Sequence, residues 1–111
     1  MPYMEPRAFK RFVDKLTKEN LWIYIVKTLM DGEKTGYEIV KSIKSLGIST
    51  STVNVYMVLY KMERDGLIKS DERSDGKYYK NTQLGVATFN NALQFLDSLL
   101  EKLGCELRCL S

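Results

Sequence analysis

The 111-residue sequence contains no histidine, two cysteines, two prolines and a single tryptophan. Without histidine it lacks the side chain most often used as a general base or metal ligand near neutral pH. A four-ligand zinc site would need two chains or help from carboxylates, and no nucleophile stands at motif spacing from a base. A glycine loop able to cradle phosphate is also missing. Catalysis, a bound metal and a cofactor are therefore not expected. The two cysteines, Cys105 and Cys109, lie four apart near the C-terminus. They read as free thiols on a helix end, with a disulfide, within or between chains, as the alternative.

Long apolar runs are absent too. The most apolar, LWIYIV at Leu21 to Val26, stops at Lys27, far short of the roughly 20 residues that cross a bilayer. The opening MPYMEPRAFKRF mixes charges of both signs and does not resemble a secretory signal. A cytoplasmic protein with no membrane contact is the expectation. Apolar residues make up 44% and charged residues 28% of the chain, the balance of a soluble globular protein with one core. The net charge of +3 is unevenly spread: Lys34 to Lys80 holds nine basic and six acidic side chains, while the flanks nearly cancel. That middle segment is the place to look for a binding surface for a polyanion.

Periodicity supplies the elements. Residues 6–18, opened by Pro6, place Phe9, Phe12, Val13 and Leu16 on one helical face. Asn20 is positioned to cap a second helix from Leu21 to Met30. Thr35 and Glu38 form a capping-box pattern ahead of GYEIVKSIKSLG, with Gly47 as the stop and Tyr37, Val40 and Ile43 sharing one direction. Next comes STSTVNVYMVLYKMERDG, a helix capped by Ser49 or Thr50 and ended at Gly66, with Val55 or Tyr56, Leu59 and Met62 turned inward. The segments LIKS and KYYKNT, separated by DERSD and Gly76, read as a β-hairpin. From Gln83 a long helix carries Val86, Phe89, Leu93, Leu96, Leu100 and Leu103 at heptad spacing.

Helix, helix, turn, helix, hairpin is the order of a winged helix-turn-helix domain. The fold class expected is mainly α (α+β), with a winged helix-turn-helix domain over residues 1–82, N-terminal helix included, and a long C-terminal dimerisation helix over 83–111. In such a domain the second helix of the turn lays its first residues in the DNA major groove while the preceding helix faces the backbone. Short hydroxyl and amide side chains suit that close approach. Thr50, Ser51, Thr52, Asn54, Met57 and Lys61 are the candidate reading residues; Asn54 can pair with adenine, and Met57 or Val53 can touch a thymine methyl. Thr35, Tyr37, Lys41 and Lys44 are candidates for the backbone, and Lys69, Arg73, Lys77 and Lys80 for the wing, Arg73 and Lys77 foremost. A protein-binding module would instead show acids or large exposed apolar side chains on the reading helix, and its first two turns are expected to carry neither. A non-specific architectural DNA binder would be expected to carry more charge than +3.

The runs LMDGEKTGYEIVKSI, VYMVLYKMERDGLIKS and GKYYKNTQLG resemble the PadR-like transcriptional regulators. The matching positions are Gly36, Tyr37, Glu38 and Ile39; Tyr56, Leu59, Glu63, Gly66, Leu67 and Ile68; and Tyr78, Tyr79, Thr82 and Gly85. The sequence departs from the family pattern at Met57, where proline is common, at Lys77, which stands for a basic pair, and at Asn81, which replaces a hydrophobic residue. The resemblance implies a homodimeric repressor held together by its C-terminal and N-terminal helices. The heptad seam from Val86 to Leu103 independently calls for a partner helix, and two-fold symmetry would give a pseudo-palindromic double-stranded operator. Some members of the family use a small aromatic effector, for which Trp22, Tyr24, Phe9 and Phe12 are candidate lining residues.

Overall fold

In a computed structural model, which describes residues 6–104, the elements follow one another as α1 (Arg7–Leu16), α2 (Leu21–Leu29), β1 (Lys34–Thr35), α3 (Gly36–Ser45), α4 (Thr52–Arg64), β2 (Ile68–Arg73), β3 (Gly76–Asn81) and α5 (Gln83–Lys102). The core forms where α2, α3 and α4 meet. Leu21, Ile25, Val26 and Leu29 from α2, Ile39, Val40 and Ile43 from α3, and Val55, Leu59 and Met62 from α4 are buried together. Ile48 plugs the turn between α3 and α4, Ile68 and Tyr79 close the core from the sheet, and Phe89 closes it from α5. This is the mainly α winged-helix arrangement expected, with the cysteines Cys105 and Cys109 lying outside the described residues.

Local chemistry sets the element ends. At α3 the capping box is complete: Thr35 Oγ1 accepts from the Glu38 N–H at 3.2 Å and a Glu38 carboxylate oxygen accepts from the Thr35 N–H at 2.9 Å. The α4 cap is Ser51, whose Oγ accepts from the Asn54 N–H at 3.0 Å, two residues later than Ser49 and one later than Thr50. At its other end the Leu67 N–H reaches back to the Met62 carbonyl and the Gly66 N–H to that of Glu63, with Gly66 at a φ of +83°. Those two bonds satisfy the orphan carbonyls of the last turn in a conformation that glycine adopts without strain.

The inward face of α4 takes the first of its two expected alternatives, and that of α3 differs from expectation. Val55 and not Tyr56 joins Leu59 and Met62 in the core, and on α3 Ile39 takes the place given to Tyr37, which is exposed. Asn20 does not cap α2: it donates to the Lys15 carbonyl and accepts from the Trp22 indole N–H, tying α1 to α2. The DERSD segment is mostly strand, and the hairpin turns on Ser74 and Asp75 alone. A third strand, β1, was not expected; it pairs antiparallel with β3 so that the sheet order is β1-β3-β2. Two residues are too few to show alternation in a sequence.

α5 starts as part of the domain and then leaves it. Gly85 and Phe89 are buried in the chain's own core, while Leu93, Phe95, Leu100 and Leu103 are exposed. The radius of gyration is 16.1 Å, against roughly 13 Å for a compact chain of this length, because α5 extends about 30 Å. Its first turn is fixed by Thr82, whose N–H donates to the Leu67 carbonyl and whose hydroxyl donates to Gly66 and Leu67 carbonyls while accepting the Gly85 N–H. A Cβ at Gly85 would lie 2.1 Å from the Leu67 carbonyl oxygen. Gly85→Ala is therefore expected to destabilise the fold by about 1–3 kcal/mol, the usual cost of overpacking. The urea midpoint of the variant checks this; an unchanged midpoint would contradict the contact.

Candidate nucleic-acid interface

The chain folds α4 so that one stripe faces the core and the opposite one faces solvent. Thr52, Val53, Asn54, Tyr56, Met57, Tyr60, Lys61 and Arg64 are exposed. The candidate reading residues Thr52, Asn54, Met57 and Lys61 are thus all on the outside. Ser51 is exposed but its Oγ is occupied as the helix cap, and Thr50 Oγ1 accepts from the Asn54 side-chain amide at 3.0 Å. That bond uses one amide hydrogen of Asn54, and adenine's N7 and N6 would require the other together with the amide oxygen.

The first two turns of α4 also differ from expectation in carrying large exposed apolar groups, Val53, Tyr56 and Met57. Tyr56 lies across the start of α3, where a Cβ on Gly36 would come within 2.5 Å of its ring. With Gly36 there the tyrosine ring lies close against the start of α3, and a larger residue would force the ring to shift. Tyr60 and Arg64 extend the outward stripe and were not singled out in the sequence. Tyr60 lies three residues after Met57 and seven after Val53, and Arg64 seven after Met57, a helical spacing that was a signal, masked because apolar residues of this helix could be read as core.

On α3, Tyr37, Lys41 and Lys44 are exposed, with the Lys41 ammonium 5.6 Å from the centre of the Tyr37 ring. Their spacing places them on one helical face. Thr35 is committed to the capping box. Its partner Glu38 is held below the ordinary glutamate range, chiefly by the Thr35 backbone N–H.

Strand register divides the wing cations. Lys69 and Lys80 are direct cross-strand partners, and Arg73 lies opposite Gly76, all on the face that also carries Asp71 and Tyr78. Lys77 pairs with Glu72 on the other face, that of Ser70 and Tyr79. The four cations therefore do not form one patch. Arg73 is moreover engaged within the protein: its two terminal nitrogens meet the two Glu33 oxygens at 2.7 and 2.8 Å, its Nε meets Asp71 at 3.1 Å, and its guanidinium lies 4.5 Å from the Tyr78 ring centre. The Tyr78 hydroxyl donates to Asp75 at 2.8 Å, which raises its pKa. Lys69 opposite Lys80 is an unfavourable like-charge pair that an anion would relieve.

The aromatic residues expected to line an effector pocket separate. Trp22 and Tyr24 border an apolar cavity of about 570 Å³ between α2 and α5, together with Leu16, Phe89, Leu93 and Leu96, whereas Phe9 and Phe12 stand outside it on α1. Among the described residues no cluster of three potential metal ligands occurs, and no helix is long and apolar enough to cross a membrane.

A family model for the transcriptional regulator PadR-like family matches residues 25–91. Among solved structures, a PadR-family transcriptional regulator from Eggerthella lenta superposes with a TM-score of 0.70 at 23% identity, covering 90% of this chain and 92% of that one. A PadR-family regulator from Clostridium difficile gives 0.63 at 28% identity over 74% and 95%. A winged-helix DNA-binding protein from STIV gives 0.62 at 21% identity over 80% and 95%. No curated protein matches the chain significantly.

The Arg73–Glu33 pair joins the hairpin to the turn before β1, and Glu33 is held below the ordinary glutamate range chiefly by its hydrogen bond to Arg73. A carboxylate whose pKa is lower in the folded than in the unfolded chain stabilises the fold above the unfolded value. That contribution disappears as pH falls through the folded value. Glu33→Gln should speed amide hydrogen exchange in β2 and β3 severalfold at neutral pH, and wild-type exchange should approach the variant's only below about pH 4. Equal exchange at neutral pH would leave Arg73 without an anchoring role.

Proposed function

The chain belongs to the PadR-like family of transcriptional regulators, which bind DNA and are not enzymes, and from that premise we propose that it acts as a homodimeric repressor on a pseudo-palindromic double-stranded operator. The observation that carries the dimer is a pair of uncovered apolar faces. α1 has no buried residue although Phe9, Phe12, Val13 and Leu16 share one face, and Phe12 is 60% exposed. The outer half of α5 adds Leu93, Phe95, Leu100 and Leu103. An apolar surface on this scale is uncommon on a monomer, and a second copy supplies the same helices in self-complementary form. Of the seam residues, Phe89 is spent on the chain's own core and Val86 and Leu96 are half-buried, so Leu93, Leu100 and Leu103 carry the contact.

In the dimer each α4 enters a major groove, half-sites fall about one helical turn or a multiple apart, and Asn54 reads adenine. The exposed Lys41, Lys44, Lys61, Lys69, Lys77 and Lys80 supply phosphate contacts, with Thr35, Tyr37 and Arg73 holding the elements that present them. Occupying an operator in the cytoplasm, where the genome is reached, blocks transcription from it.

Leu93→Glu with Leu100→Glu changes only exposed positions, so it should leave the fold intact while halving the sedimenting mass and lowering operator affinity by more than tenfold. A dimer that survives both changes would sink the interface. Binding titrations against salt test the DNA contacts. Lys77→Ala should weaken specific and random duplex alike and reduce the salt slope by about one. Asn54→Ala should cost about 1–3 kcal/mol on the preferred sequence and little on random duplex. A wild-type protein with no preference over random duplex, or with salt-independent affinity, would overturn the proposal, and a promoter reporter that rises on expression of the protein would overturn repression.

A further inference from the structure

The tip of α4 offers fewer polar groups than its sequence suggests and more apolar surface. Ser51 Oγ is used as the cap and Thr50 Oγ1 is used by the Asn54 amide, each at 3.0 Å. By contrast Val53 is 70% exposed, Met57 53% and Tyr60 70%. These three, with Thr52, Tyr56, Lys61 and Arg64, line one open groove of about 500 Å³ along the outer face of the helix. An apolar stripe left in water on a reading helix calls for an apolar occupant.

We propose that α4 selects its site chiefly through the 5-methyl groups of thymine, packed against Val53 and Met57, with Asn54 held by Thr50 to read an adjacent adenine. The proposal rests on the DNA-reading function above and names the feature that is read. Along the major-groove edges of the four ordinary base pairs, the thymine methyl is the one apolar group. Val53 and Met57 are one turn apart, about 6 Å along the axis, so they meet methyls on base pairs one or two steps apart. Tyr60 continues the same stripe towards the groove wall. Charge favours nucleic acid over an apolar protein partner: α4 has no acidic residue in its first turn, and Lys61 and Arg64 border the same groove.

The test begins with the full chain and a random duplex library, from which a preferred site is selected. Each thymine of a half-site is then replaced by deoxyuridine, which removes the methyl and leaves every hydrogen-bonding group in place. One or two thymines per half-site should each lose about fourfold in affinity, the effect of burying one methyl group. Val53→Ala or Met57→Ala should bring the thymine-to-deoxyuridine ratio towards one, while Asn54→Ala leaves that ratio unchanged and relaxes the neighbouring adenine. Thr50→Val should relax that adenine as Asn54→Ala does, and Thr50→Ser should restore it. A preferred site whose affinity is unchanged by deoxyuridine at every thymine would overturn this inference and leave DNA reading standing. Failure to enrich any site would remove both. Methyl sensitivity that persists in the Val53→Ala, Met57→Ala double variant would place the contact elsewhere and overturn the assignment.

Discussion

The Leu67 carbonyl is the point on which the rest of the molecule turns. It ends the corner between α4 and β2, accepts both the N–H and the hydroxyl of Thr82, and lies where Gly85 alone, lacking a Cβ, lets α5 come close. Three elements with different tasks are thereby fixed to one peptide group: the reading helix, the wing and the helix that leaves the domain. A part-buried backbone oxygen that accepts an N–H and shares a hydroxyl with the neighbouring carbonyl is a strong local constraint, because breaking these bonds leaves polar groups unsatisfied. Any partner bound along α5 is consequently held at a set distance and angle from α4. In the proposed dimer, half-site spacing follows from this junction.

The wing is held by a second, electrostatic constraint of a different kind. Arg73 spans from the hairpin to Glu33, 40 residues away in sequence, and stacks on Tyr78. A bidentate guanidinium–carboxylate pair is directional, so it aims the hairpin, although an exposed pair adds little to global stability. The cations beyond it are divided by the strand pleat, with Lys69 and Lys80 on one face and Lys77 on the other. In the proposed complex a wing divided in this way can touch phosphate on either side of its edge.

The start of α3 and the end of α4 were legible in the sequence because their chemistry is local, whereas the caps of α2 and α4 were not. Thr35 with Glu38, and Gly66 after Asp65, work through bonds that span only a few residues, and the pattern of apolar residues placed the long α5 correctly. Faces were less legible. Tyr56 and Val55 are both apolar and adjacent, so only the neighbouring helix decides between them, and Gly36 decides it by making room for the tyrosine outside the core. Arg73 was legible as a wing cation and illegible as an anchor, since Glu33 is distant in sequence. The two-residue β1 exists only because β3 is there to pair with it.

The same distinction changes the meaning of the hydroxyl-rich segment before α4. In sequence, Ser49, Thr50, Ser51 and Thr52 look like an excess of groups available to DNA. In the folded chain Ser51 closes the helix and Thr50 holds Asn54, so two of the four serve the geometry of the reading tip and not its contacts. What Thr50 positions is the Asn54 amide, beside a stripe of Val53, Met57 and Tyr60 exposed to solvent. Exposing that stripe costs free energy in the unbound chain, and the cost is recovered only against a surface that is itself apolar. With a net charge of only +3, long-range attraction contributes modestly to affinity. In the proposed readout, discrimination falls to the short-range contacts of α4, which are worth most when the methyls they meet are correctly spaced.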